Sequence, residues 1–189
     1  MPPSLTQLDC IRGRFDAACG AFMADGGREL LQLKADGGAT EQRISGALAL
    51  HLRSELRDFI ASEDVVVDAE YFYDGDDAKM MAAMGPFADI IERARRRMRY
   101  DGRVGIRPDI IVHRRGPEGP NYFVIEVKKR SNGSAAQTEF DLLKLRMMTS
   151  PEQKYRYIYG FQVRAFDSDN AEERKLEVLS TWHGGKQVA

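Results

Sequence analysis

The spacing of apolar residues changes several times along the chain, and the order of these changes constrains the fold. Residues 4–23, 40–60 and 135–149 place apolar side chains at steps of three and four, which predicts amphipathic helices. Thr40 is a typical helix N-cap for the second of them. Segments rich in β-branched and aromatic residues predict strands at 64–73, 103–113, 121–129, 155–166 and 175–183. The order helix, three strands, helix, two strands predicts a mixed α/β fold with helices packed on a central sheet.

The length of 189 residues fits one domain of ordinary size with a sizeable core. We predict an N-terminal helical extension at 1–39, which includes a short helix near 28–35, and a main domain at 40–189. Residues 77–99 are expected to be helical, with a break at Gly85-Pro86. The main domain would therefore carry a helical insertion at about 77–104, after its first strand.

Composition excludes several classes of protein. The net charge of −1 gives no global argument for nucleic-acid binding, which must come from local patches. No apolar run approaches the 18 residues of a membrane-spanning helix, and the N-terminus lacks the pattern of a signal peptide. Cys10 and Cys19 have no partner pair nearby, so we expect reduced, buried thiols in a cytoplasmic protein.

Residues 107–129 place charge in two predicted strands joined by a Gly- and Pro-rich loop. Asp109 begins the first strand, and Glu126 and Lys128 share one face of the second. A hairpin brings the two carboxylates together, which costs energy unless a cation neutralises them, and Mg²⁺ prefers such oxygen ligands. The alternation also fits an ordinary hairpin with one solvated face, so the residues alone leave both interpretations open.

The pair Pro108-Asp109, followed by Glu126-Val127-Lys128, resembles the motif of the PD-(D/E)xK nuclease superfamily, which has the restriction-endonuclease-like fold. The core of that superfamily is a helix, three strands, a helix and a further strand (αβββαβ), in a mixed central sheet flanked by helices. The predicted elements follow this order from about 40 to 166. The segment "EFDLLKL", with Asp141 and Lys144, also looks like a helix of small uncharacterised members. The resemblance covers about two thirds of the chain and leaves out 1–39 and 77–104.

The resemblance implies a role for each motif residue. Asp109 and Glu126 would bind Mg²⁺ (or Mn²⁺), with the carbonyl of Val127 as a further ligand. Lys128 would position or activate the attacking water. Members often add an acidic residue from the first core helix, and Glu41 matches that position, with Glu55 as the alternative. Glu41 would contribute through a water or a second metal ion.

A run of arginines precedes the motif and forms a local positive patch in a nearly neutral chain. Arginine forks suit phosphate oxygens, so we predict contacts with a nucleic-acid backbone. The predicted contact residues are Arg93, Arg96, Arg97, Arg99, Arg103 and Arg107. The solvated face of a helix is the alternative interpretation of this run.

Together these features predict a metal-dependent nuclease that hydrolyses phosphodiester bonds, most plausibly in DNA. The alternative is a non-catalytic or partner-activated module that keeps the fold and binds nucleic acid or protein. A homodimer or a protein partner is compatible with both hypotheses, and no membrane association is expected.

Overall fold

The computed structural model of the protein describes residues 5–32, 38–58, 60, 64–69, 73–74, 77–78, 80–82, 103–105, 107–114, 120–130 and 135–188. Its centre is a six-stranded mixed sheet. The strands are β1 (Val65–Ala69), β6 (Ile110–Arg114), β7 (Asn121–Lys129), β8 (Tyr159–Phe166), β9 (Lys175–His183) and β10 (Lys186–Val188). Two further pairs of short strands are β2 (Tyr73–Asp74) with β3 (Asp77–Ala78), and β4 (Met80–Ala82) with β5 (Arg103–Gly105).

The strand order in the central sheet is β1-β6-β7-β8-β9-β10. Strands β7 and β8 are parallel, and every other neighbouring pair is antiparallel. A parallel pair needs a long crossover connection, and helix α4 (Ala135–Thr149) supplies it. The mixed α/β fold predicted from the sequence is therefore confirmed.

Helices α1 (Leu5–Phe22) and α3 (Glu41–Glu55) cover one face of the sheet, with the short α2 (Arg28–Leu30) between them in the chain. Phe15 of α1 is fully buried and stacks on Phe161 of β8, with 4.0 Å between ring centroids. Ile110, Ile125 and other buried residues of the central strands belong to the same apolar cluster. Part of the predicted N-terminal extension thus contributes to the main hydrophobic core.

Helix α4 covers the opposite face of the sheet. Leu143, Leu145 and Met148 of α4 form a second apolar cluster with Ile111 of β6 and Val124 of β7. Because side chains alternate along a strand, Glu126 and Lys128 lie on the same face of β7 as Val124. The charged residues of the motif are therefore placed beneath α4.

The helix predicted at 77–99 is wrong wherever the structure describes that segment. Residues 77–78 and 80–82 are strand, and Met80–Ala82 pairs with Arg103–Gly105. Lys, Met and Ala favour helix locally, but pairing with a segment some twenty residues away overrides a weak local preference. Residues 83–102 of the predicted insertion lie outside the described residues.

The strand predicted at 103–113 is two strands. β5 pairs only with β4, whereas β6 lies between β1 and β7 in the central sheet. Pro108 stands just before β6 and has no N–H to donate to a neighbouring strand, which suits a strand entry. The predicted bounds of β7, α4 and β9 are the observed ones.

Both cysteines are free thiols, but only one of them is protected from solvent. Cys10 is exposed, so its predicted burial is wrong: it lies on the outer side of α1. Cys19 is half-buried, and burial raises the pKa of its thiol to about 12. None of the described helices combines the length and apolar character needed to cross a membrane.

Candidate active site

Strands β6 and β7 bring the two motif carboxylates together. Ile110 pairs with Ile125 across the antiparallel ladder, so Asp109 comes opposite Glu126, one position beyond the paired residues. The Asp109 side chain then folds onto the neighbouring strand, where Oδ2 accepts a hydrogen bond of 2.6 Å from the N–H of Val127. The backbone of Val127 is thereby fixed at the site.

Glu126 is a buried carboxylate with only one of its two oxygens bonded. Its residue is 1% exposed, and Oε2 accepts a hydrogen bond of 2.6 Å from Nζ of Lys144 on α4. Oε1 is also buried and has no hydrogen-bond partner among the residues that the structure describes. An unbonded buried carboxylate oxygen costs free energy, so this atom requires an explanation.

Asp141 connects the two lysines of the site from one turn before Lys144 on α4. Its Oδ1 lies 2.9 Å from Nζ of Lys144, and its Oδ2 lies 3.1 Å from Nζ of Lys128. The second contact is an ion pair without good hydrogen-bond geometry. Asp141 and Lys144 are both nearly fully buried, so α4 carries a charged pair on the side that packs against the sheet.

Glu41 reaches the site from the first turn of α3. Thr40 caps this helix by accepting a hydrogen bond of 3.2 Å from the N–H of Arg43. Oε1 of Glu41 accepts a hydrogen bond of 3.0 Å from the N–H of Lys129, and Oε2 lies 3.4 Å from Nζ of Lys128. The structure thus brings Glu41 beside the motif lysine. Glu55 lies at the other end of α3, about 21 Å further along at 1.5 Å per residue.

Burial and like charges disfavour ionised carboxylates at this site. Burial raises the pKa of Asp109, against the lowering effect of its bond to Val127. Burial also raises the pKa of Glu126 well above its ordinary value, and the nearby Asp109 and Asp141 add to this, whereas Lys144 opposes it. The cluster therefore favours any positive charge that comes close to Glu126 and Asp109.

For the two lysines, unlike for these carboxyl groups, the site favours the charged form. Burial alone would lower the pKa of Lys128, but the carboxylates of Asp141 and Glu41 outweigh it, and the pKa is raised. The pKa of Lys144 is also raised, because Glu126 and Asp141 outweigh its burial. Both side chains are consequently ammonium groups at neutral pH.

When all four carboxyl groups of the cluster are ionised, they outnumber its two ammonium groups by two, which is the charge of one divalent cation. Within the described ranges, no group of three or more His, Cys, Asp and Glu side chains is arranged to hold a metal ion. Mg²⁺ often uses one or two carboxylates and keeps several waters. Asp109 and Glu126, with the unbonded Oε1, fit that kind of site.

The arginine patch is only partly described. Arg93, Arg96, Arg97 and Arg99 lie outside the described residues. Arg103 is in β5, which pairs with β4 and is not a strand of the central sheet, and Arg107 is exposed directly before Pro108. Among the predicted contact residues, Arg107 is therefore the one with a described, exposed side chain, and it lies two positions before Asp109 in the sequence.

Asp141 and Lys144 were not predicted to belong to the site, although they are central to it. The sequence does contain a signal, since these two residues carry opposite charges three positions apart in a helix. The residues around them, Leu143, Leu145 and Met148, are apolar. Such a pair is also common on exposed helix surfaces, so its burial follows only from how α4 packs on the sheet.

Comparison of the chain with protein-family models, with curated proteins and with solved structures found no match.

Proposed function

We propose that this protein is a metal-dependent nuclease of the restriction-endonuclease-like type, which hydrolyses phosphodiester bonds in DNA. The observation that carries the proposal is the buried Glu126 carboxylate, with one oxygen that has no hydrogen-bond partner among the described residues, in a cluster of four carboxyl groups and two ammonium groups. The order α3, β1, β6, β7, α4, β8 supports it, since this is the element order of the superfamily core. The motif carboxylates also fall on or next to the second and third central strands in chain order.

In this proposal the residues of the cluster have different roles in metal binding and hydrolysis. Glu126, through Oε1, and Asp109 would hold Mg²⁺, with the Val127 carbonyl as the further ligand that the resemblance implies. When bound, the ion would activate water and stabilise negative charge on the phosphate. Lys128 stays protonated, so it would stabilise charge or orient water rather than accept a proton.

The cluster opens to solvent on the side of Lys128 and Glu41. Their side chains are 20% and 26% exposed, whereas that of Glu126 is 1% exposed. A phosphate group would therefore approach Lys128 first, with the metal ligands behind it. Arg107 is exposed just upstream of Asp109, and its guanidinium suits contact with a phosphate of the backbone.

The test is a cleavage assay with the full chain. Supercoiled plasmid, linear duplex, single-stranded DNA and RNA would each be incubated with Mg²⁺, Mn²⁺ or a chelator. We expect metal-dependent cleavage of at least one DNA substrate, and a loss of about 100-fold or more in Asp109→Asn and Lys128→Met. Lys175→Met is the matched control, because Lys175 is exposed and pairs with Glu177 within β9.

Absence of cleavage of all four substrates with either metal would contradict the proposal, as would cleavage that survives in Asp109→Asn and Lys128→Met. Metal binding without any cleavage would instead favour a non-catalytic or partner-activated module on the same fold.

A further inference from the structure

Asp141 and Lys144 lie one helical turn apart on α4, and each contacts a different residue of the Glu126-Val127-Lys128 segment. We propose that these two residues are a positioning pair: Lys144 orients Glu126 for the metal ion, and Asp141 holds Lys128 toward the substrate. This inference rests on the proposed function and adds to it two residues that act through others.

Lys144 restricts how the Glu126 carboxylate can rotate. Its bond of 2.6 Å occupies Oε2 and leaves Oε1, which is buried and has no hydrogen-bond partner among the described residues, as the oxygen that would bind a metal ion. Lys144 is itself held by Asp141 at 2.9 Å, so the ammonium cannot follow Glu126 into another orientation without losing a second contact. A ligating carboxylate that is fixed in this way binds its ion more tightly than a mobile one.

Asp141 restricts Lys128 in a similar manner. Nζ of Lys128 lies between Oδ2 of Asp141 at 3.1 Å and Oε2 of Glu41 at 3.4 Å. A lysine has a long and flexible side chain, and carboxylates from α4 and α3 limit the positions of its ammonium group. Asp141 is thereby connected to both functional residues of β7, directly to Lys128 and through Lys144 to Glu126.

Stability alone does not account for this arrangement. Replacing a buried ionic network by well-packed apolar residues is often neutral or stabilising, because burying charge is costly. Apolar residues flank the network: Leu143, Leu145 and Met148 of the same helix pack against Val124 of β7. Because stability alone does not favour the network as a whole, orientation of Glu126 and Lys128 is the role that we assign to the pair.

The test measures metal affinity separately from turnover. In Lys144→Met we expect Mn²⁺ affinity, measured by calorimetry on the folded full chain, to fall by about 10- to 100-fold. Lys144→Arg keeps the charge and is expected to recover part of this loss. In Asp141→Asn we expect the cleavage rate at saturating Mn²⁺ to fall by about 10- to 100-fold, with a smaller loss of Mn²⁺ affinity.

Arg174→Met is the matched control, because Arg174 is also a buried cation, bonded to the backbone carbonyls of Ser168 and Asp169 rather than to the cluster. We expect it to lower the unfolding temperature in chelator and to leave Mn²⁺ affinity unchanged. A merely structural role for Lys144 would give the same result as this control, and Mn²⁺ affinity within twofold of the native protein in Lys144→Met overturns the inference. If the native chain binds no Mn²⁺ or Mg²⁺, the inference and the proposed function fail together. Native binding that survives in Lys144→Met removes the inference alone.

Discussion

The two faces of β7 differ in character although they belong to the same nine residues. On the face toward α1 and α3, Phe123, Ile125 and Val127 are fully buried in the main core. On the face toward α4, Val124 is followed by Glu126 and Lys128, which enter the charged cluster. The first face stabilises the fold by burying apolar area, whereas the second buries charge at a cost. One face of β7 therefore stabilises the fold, and the other carries the side chains to which the proposed function assigns the chemistry.

The largest expected effect tests the apolar face. Phe15→Ala removes a ring that stacks on Phe161 and contacts Phe123 edge-on, so we expect a loss of about 3–5 kcal/mol in the free energy of unfolding, measured with urea. The Mn²⁺ affinity of the folded variant should not change. Leu50→Ala is the control: this side chain is 62% exposed, and its removal should cost no more than about 0.5 kcal/mol.

A loss below about 1 kcal/mol in Phe15→Ala would contradict the role of α1 in the core, since buried aromatic residues cost more than this to truncate. It would favour a separable N-terminal extension instead.

The second prediction concerns the charged face and its pH dependence. The pKa of Glu126 is raised in the folded state, so the folded protein binds a proton more tightly than the unfolded chain. The resulting stabilisation is complete below the ordinary pKa of 4.5 and is lost as pH rises through the folded value. Each unit of raised pKa corresponds to about 1.4 kcal/mol. Relative to Glu126→Gln, the metal-free native protein should therefore lose free energy of unfolding as pH rises.

Saturating Mg²⁺ should reduce this difference, because the ion stabilises the ionised carboxylate. Unfolding curves measured in chelator from pH 5 to 8 provide the comparison. Native and Glu126→Gln proteins with parallel pH profiles would contradict the account of the charged face.

The smallest expected effect concerns the helix that supplies Glu41. Thr40→Ala removes the N-cap of α3 and should cost about 1 kcal/mol in the free energy of unfolding. Thr40→Ser keeps the capping oxygen and should stay close to the native value. Equal losses in the two variants would show that the side-chain cap does not stabilise α3.

Sequence reasoning predicted several central elements with their observed bounds. Strands β7 and β9 are rich in β-branched and aromatic residues, and α4 places Phe140, Leu143 and Met147 at steps of three and four. The prediction was wrong at 77–78 and 80–82, since pairing of Met80–Ala82 with Arg103–Gly105 depends on contacts outside any local window. Strand β10 was not predicted at all, and only three residues form it.

The candidate site was predictable in part for similar reasons. Asp109, Glu126 and Lys128 stand out because charge interrupts apolar strands, and the structure places them together with Glu41. Asp141 and Lys144 were noted in the segment "EFDLLKL" but were given no role in the site, because the same spacing suits a solvated helix surface and only tertiary packing buries them.

A crystal of the full chain soaked in Mn²⁺ tests the central claim most directly. We predict an anomalous peak within coordination distance of Glu126 Oε1 and of a carboxylate oxygen of Asp109, with Lys144 still bonded to Glu126 Oε2. The claim would be contradicted by the absence of a peak at saturating Mn²⁺, or by a peak that contacts neither carboxylate.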